Sequence, residues 1–599
     1  MKRAALFLFA SLSVVSVQLQ PVAAAASTSA AEQLHALFKS SDEETLRRNP
    51  VQALYRGDLR YADRFGDSVS DSYYSGERKA AENDLRALKS INRNALNPVD
   101  KISYNSFKWL TEINLRGYSR QVLPLYALRP IDHFFGVQTY YPDIASGTGA
   151  APFNKLADYE NNLKRHSDYV VQLDRSIEQF RRGMKAGIVQ PKLIVNNVID
   201  QLNLQLAQGV ENSTFMGPVK IFPVGISLAD QARLRADYAK TVSESIRPAY
   251  IRLRDFLKND YLPVARESVG LSGMKGGSKL YEYYIAYNTT LPLSADYVHM
   301  LGLSEVARIR TQMEAIKVQV GYKGSLKQFF DYFRDDPKFQ FKSKADMRET
   351  FLAIGKTVDA HVRDQFSTIP KTPLEIRPVP EYKEKTDAGG SYNAGTPDGS
   401  RPGVFYYNSY DLPSRSKPES ETLFLHEAVP GHHFQISLAQ ENEALPSFLR
   451  FNGNTAYAEG WALYAETLYK EMGVEKEPYS RFGGLNDEML RAMRLVVDSG
   501  LHSKGWTRDQ SIAYMLDNSG MSRTDATAEV ERYIAIPGQA LAYKIGQLTI
   551  LRLKAKAQAA LGEKFDPRAF HAQILMTGAL PMTVLEKKID DWIAAGAKP

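Results

Sequence analysis

The 599-residue chain contains no cysteine. That excludes a disulfide framework, a thiolate metal site and a lipid-modified cysteine behind a leader. Long apolar runs are also lacking: the only marked one, at 4–17, is shorter than the about 20 residues a spanning helix needs, so stable membrane insertion is not expected. The Gly-rich stretch GLSGMKGGSKL (270–280) has neither the G-x-x-x-x-G-K-[ST] nor the G-x-G-x-x-G register, which excludes a phosphate cradle there. No fixed-period repeat occurs. An excess of one charge is missing too. The 75 basic and 68 acidic residues leave +7, or +5 once Lys2 and Arg3 of the leader are set aside. Basic residues are interleaved with acids, as in RLRDFLKNDY, and a nucleic-acid partner would need them clustered.

What is present begins with a leader of the export type over 1–26: Lys2 and Arg3, the apolar run, then small residues ahead of the mature chain. Export to a bacterial periplasm, without a lipid anchor, is the expectation. The length exceeds the roughly 100–200 residues of one domain. A helical lobe is expected over 27–269, a Gly-rich linker over 270–280 and a second, catalytic lobe over 281–599. Three-and-four apolar spacing predicts a helix over 156–187 that stops at Gly187. Beyond the linker, Ser294 and Ser304 are expected as N-caps and Gly302 as a helix stop. Only 373–413 breaks the helical pattern, with short strands expected at 374–379 and 404–408. The fold expected is mainly α, two-lobed, with a small sheet ahead of an unusual helix.

That helix is FLHEAVPGHHFQ, 424–435. The zinc-binding pattern H-E-x-x-H puts two imidazoles one turn apart, about 6 Å along the axis and roughly 40° around it. Here Pro430 stands where the second His belongs. In a straight helix His432 lies about 240° round from His426, and His433 about 10.5 Å away along the axis, so neither can share an ion with it. The helix cannot stay straight, because Pro430 has no N–H and its ring strikes the carbonyl of His426, while Gly431 turns freely. With Pro430 and Gly431 looped out, H-E-A-V-H remains and His432 takes the second position; His433, adjoining it, is the alternative.

An acidic third ligand is expected on the following helix, NTAYAEGWALYAETLYKEMG. Glu459 is the candidate, with Gly460 beside it to let two backbones approach, and Glu466 is the alternative. Farther on, Asp498 is placed to orient His502 four residues later. Around a second Pro-Gly, Tyr533 and Tyr543 are candidate oxyanion donors alongside His502, and Arg532 and Lys544 candidate holders of a terminal carboxylate. The remaining six histidines are scattered and expected in packing or surface roles.

HEAVPGHHFQ, AEGWALYAE, VVDSGLHSKGW, PGQALAYKIG and DGSRPGVFYYN, in this order apart from the last, which precedes them, resemble the bacterial family termed domain of unknown function 885, grouped with the zincin metallopeptidases. The resemblance implies a gluzincin-like helical fold with a deep cleft, His426 and His432 as zinc ligands, Glu459 as the third and Glu427 as general base. One Zn2+ and short peptide substrates are then expected, an oligopeptidase or a carboxypeptidase or dipeptidase. The strand at 404–408, with Phe405 and Tyr406, is expected to pair with extended substrate. Two other readings stand beside this one: a non-catalytic peptide-binding protein with a vestigial metal site, and a zinc amidase acting on non-ribosomal amides. The sequence sets no oligomeric state.

Overall fold

The computed structural model describes residues 28–380, 384, 388–399, 401–451 and 453–596; the leader expected at 1–26 lies outside them. The described chain is mainly helical, with one three-stranded sheet. No described helix is long and apolar enough to cross a membrane.

The local stop and cap signals act largely as their chemistry dictates. Helix α1 (Leu156–Ala186) ends at Gly187, which adopts φ 69°, a left-handed cap that favours glycine. Helix α2 (Ala295–Gln319) begins at Ser294, whose side chain accepts from the Tyr297 N–H. Ser304 and Gly302, however, fall inside α2. Gly302 is there for packing: a Cβ at that position would lie 2.7 Å from the Leu495 Cβ and 2.9 Å from the Val496 N.

In the sheet, strand β1 (Leu374–Pro378) and strand β2 (Gly390–Asn393) flank strand β3 (Gly403–Tyr407), in the order β1-β3-β2. The β1–β3 pairing is parallel and β2–β3 antiparallel, with Tyr392 opposite Phe405. Because β3 is central, both its backbone edges are used, and it cannot take the substrate edge-on as expected. Phe405 is fully buried against Phe351 and Phe424.

After the sheet come helix α3 (Ser420–Glu427), helix α4 (His432–Glu441), helix α5 (Thr455–Glu466), helix α6 (Pro478–Ser503), helix α7 (Arg523–Ala535) and helix α8 (Leu541–Leu561). Helices α2 and α6 pack along each other, as do α5 and α8. Gly460 and Gly546 allow the second of these pairs to approach, since a Cβ on Gly460 would sit 2.5 Å from the Gly546 Cα. One hydrophobic core joins α1, α2, α6 and α7 through residues such as Phe180, Met313, Met489 and Tyr533. A second joins the sheet, α3, α5 and α8 through Phe405, Leu425, Trp461 and Ile550.

These cores do not divide at 270–280, as the linker expectation requires. Leu271 and Met274 are buried, and a helix starts at Gly277. Gly270 is pressed on the end of α6, where a Cβ would meet the Leu501 carbonyl at 1.9 Å. The cleft described next opens between the two cores, with the sheet and α3 on one side and α6 and α7 on the other.

Candidate metal centre

Helix α3 ends on the two residues the motif places together, His426 and Glu427. Ala428 still donates to the Phe424 carbonyl, and helical bonding resumes with Gln435 donating to the Gly431 carbonyl. Between them the Val429–Pro430 peptide is cis. Gly431 is obligatory for steric reasons: a Cβ there would lie 1.9 Å from the His426 carbonyl oxygen. Trp461 of α5 fixes the bend by donating from Nε1 to the Pro430 carbonyl at 2.8 Å.

Chain direction is thereby reset so that α4 opens with His432 facing His426. The ring centroids are 4.8 Å apart and the planes nearly perpendicular at 89°. Glu459 of α5 reaches both: its Oε2 is 3.5 Å from His426 Nε2 and 3.4 Å from His432 Nε2. These are long for charge-assisted hydrogen bonds. They match a shared cation, because two donors each about 2.0–2.1 Å from a tetrahedral zinc stand roughly 3.3–3.4 Å apart. Glu459 Oε2 is buried with no hydrogen-bond partner, and the three donor atoms lie within 4.8 Å of one another. The residues therefore fit a zinc ion.

Glu466, one and a half to two turns further along α5, accepts from the other nitrogen of His426, with Nδ1···Oε1 at 2.7 Å. It is the orienting carboxylate, while Glu459 is the ligand candidate, so the two alternatives serve different atoms of one imidazole. The field around the site is negative. Burial opposes a charged His426, yet Glu459, Glu466 and Glu427 together raise its pKa to about 10. Burial likewise opposes charge on Glu459, and the two imidazoles nevertheless hold its carboxyl well below the usual range.

His433 points elsewhere. Its Nδ1 is 3.0 Å from the Tyr392 hydroxyl of β2, and burial lowers its pKa to about 4. His432 is thus the imidazole that faces Glu459.

The cleft over the centre has a volume of about 520 Å³ and contains His426, Glu427, His432, Glu459, Arg532 and Tyr543 from the expected set. Glu427 is 9 % exposed. The Tyr543 hydroxyl accepts from Arg532 at 3.3 Å, and the Arg494 guanidinium stacks on its ring at 4.4 Å.

Besides His433, five expected residues lie outside the cleft lining. Lys544 is wholly buried, tied to Glu488 at 2.7 Å and Glu305 at 3.1 Å, so it holds α8 to α6 and α2 and is not available to a substrate carboxylate. Tyr533 donates to Glu529 at 2.5 Å from within the first core. Phe405 is buried in the sheet, and Tyr406 alternates to its opposite face.

His502 is a structural histidine. Its Nδ1 accepts from the Leu271 N–H at 3.1 Å and its Nε2 donates to the Tyr533 carbonyl at 2.9 Å. Asp498 does not orient it; that carboxylate accepts from the Tyr281 hydroxyl at 2.6 Å and the Gly538 N–H at 3.0 Å, and burial raises its pKa to about 7.

Burial lowers the His502 pKa from 6.5 to about 3. The folded chain resists a proton that the unfolded chain accepts, so the stability this residue confers is present above pH 6.5 and lost as pH falls towards 3. H502Q should therefore destabilise the protein at pH 7 without changing turnover per folded molecule. In urea unfolding, the wild type's advantage should shrink by about 1.4 kcal/mol per pH unit below 6.5. A constant difference between pH 7 and pH 5 would refute this.

Sequence reasoning missed Arg491 and Arg494, which line the cleft from α6. Their signal was available: RAMRLVV places two arginines three apart within an otherwise apolar run.

Among known proteins, the chain is similar to "the putative lipoprotein from Colwellia psychrerythraea", whose crystal structure superposes with a TM-score of 0.85 at 27% identity, over 95% of this chain and 100% of that one. "A putative lipoprotein of unknown function from Shewanella oneidensis" shares the fold, with a TM-score of 0.67 at 20% identity, over 94% of this chain and 99% of that one. This chain has no cysteine. No curated protein matches it. The family described as "Bacterial protein of unknown function (DUF885)" matches residues 50–589, and the chain belongs to that family.

Proposed function

We propose that this protein is a zinc-dependent hydrolase of short peptides, of the gluzincin type, acting outside the cytoplasm after removal of its leader. One observation carries the reading. His426, His432 and Glu459 converge at the spacing of atoms that share a tetrahedral cation, with Glu427 adjoining the first of them in the same cleft. A binding protein has no need of a carboxylate next to its metal ligands, which favours hydrolysis over a vestigial site.

Zinc held by these residues supplies Lewis acidity, lowering the pKa of water from about 15.7 towards 7. Glu427 takes a proton from the attacking water and delivers it to the leaving amine. Oxygen adds to the amide carbon, the C–N bond breaks, and one water is consumed per bond cut. Glu466, bonded to Nδ1, would keep His426 in the tautomer that leaves Nε2 free to hold the metal. Tyr543 is the donor available to the developing oxyanion, a role that falls to neither Tyr533 nor His502. Backbone pairing with substrate moves from β3 to β2: β2 is an edge strand, and Gly390, Ser391 and Tyr392 line the cleft.

The test uses the purified full-length chain and a peptide mixture read by mass spectrometry. Chelation should abolish cleavage and zinc should restore it. Zinc-loaded protein that cuts no peptide would contradict the reading.

A further inference from the structure

Four arginines line the cleft that contains the metal centre, and three of them, Arg491, Arg494 and Arg532, cluster on α6 and α7. Arg491 and Arg494 stand one turn apart on α6, and Arg532 approaches from α7. Each is fixed by a partner that leaves some of its donors unused. Arg491 binds Asp487 through Nη1 at 2.6 Å, Arg494 binds Glu529 through Nη2 at 3.0 Å, and Arg532 donates to Gln539 at 2.8 Å. Arg491 Nε, Arg494 Nη1 and Arg532 Nε are buried without a hydrogen-bond partner. Arg494 itself is 5 % exposed.

A buried charged donor left unpaired is costly, and three in one cleft call for an acceptor. The charge balance points the same way. These three guanidiniums share two carboxylate partners, Asp487 and Glu529. Of the other acids of the lining, Glu427 and Glu459 belong to the metal centre, and Glu419 adds little negative charge at neutral pH, because burial and the neighbouring Asp487 raise its pKa to about 8. The unused capacity is for an anion, and the planar fork of arginine matches a carboxylate. Lys544, the other cation expected for this task, is buried in its own ion cluster.

Resting on the hydrolytic reading above, we propose that Arg491, Arg494 and Arg532 form a subsite for the free C-terminal carboxylate of a short peptide, which makes the enzyme a carboxypeptidase or dipeptidase. The chain end is anchored on α6 and α7, and the peptide runs from there across the metal centre towards β2. Internal cleavage of long chains is disfavoured, since a mid-chain segment offers no carboxylate to the arginines.

The experiment measures binding of trialanine and trialaninamide, which differ only in the terminal carboxylate, to the full-length zinc-loaded E427Q protein by calorimetry. The free acid should bind at least about tenfold more tightly, the scale of a charge-assisted contact. Adding R491Q or R532Q should narrow that ratio several-fold, by weakening the acid much more than the amide. If R491Q does not fold, R532Q alone decides. Equal binding of acid and amide, no binding of either, or an acid preference untouched by the substitutions would overturn the subsite. Failure of the two readings is distinguishable. An acid preference that depends on the arginines, in a wild type that cleaves neither peptide, sinks hydrolysis and leaves the subsite. A wild type that cleaves both with equal kcat/KM sinks the subsite and leaves hydrolysis.

Discussion

Zinc-loaded E427Q should lose peptide hydrolysis by about 10²–10⁴-fold in kcat, the usual contribution of a positioned acid–base group. Glutamine keeps the volume of the side chain and its place at the end of α3, but it cannot accept the proton of the attacking water. KM should change little, because Glu427 moves protons and does not anchor the peptide. Zinc content should also be unchanged, since the converging donors are His426, His432 and Glu459. Full activity in E427Q would remove Glu427 as the base. Loss of zinc would instead make it a ligand.

The second large effect separates two adjacent imidazoles. H432Q should weaken zinc binding by at least about 100-fold, more than the 10–100-fold typical of losing a residue that only supports a ligand. H433Q should keep one zinc per chain. His433 spends its Nδ1 on Tyr392, so its loss affects the contact between α4 and the sheet and costs on the order of 1 kcal/mol of stability. Equilibrium competition with a chromophoric chelator reads both variants. Zinc retained in H432Q and lost in H433Q would reverse the assignment.

The parts of this site that were legible in the sequence are those governed by interactions within a few residues. Pro430 and Gly431 force the bend from their own chemistry, and the bend selects His432. Gly187 and Ser294 mark helix ends in the same way. Glu459 and Gly460 were legible because a helix fixes their neighbourhood: the residue beside Glu459 is small where α8 crosses.

What was not legible depends on which side of an element meets the cleft. Helix α6 is buried on almost every face of its second half, so spacing alone does not separate Arg491 and Arg494, which reach the cleft, from Asp498 and His502, which brace Gly538 and Leu271. Strand order is likewise a long-range property. The alternation in GVFYY identifies a strand, but its central place comes from β1 and β2, which leaves β3, with Phe405 and Tyr406, no free edge for a substrate backbone. Gly302 reads as a stop in isolation and proves to be a contact surface for α6. Lys544 reads as a free cation until Glu305 and Glu488, distant in sequence, neutralise it.

Anomalous diffraction at the zinc edge, from crystals of the zinc-loaded wild-type chain, tests whether these three side chains hold one ion. A single peak is expected within about 2.0–2.2 Å of His426 Nε2, His432 Nε2 and a Glu459 carboxylate oxygen. A crystal with no peak among them, or with its zinc on His433 or elsewhere, would contradict it.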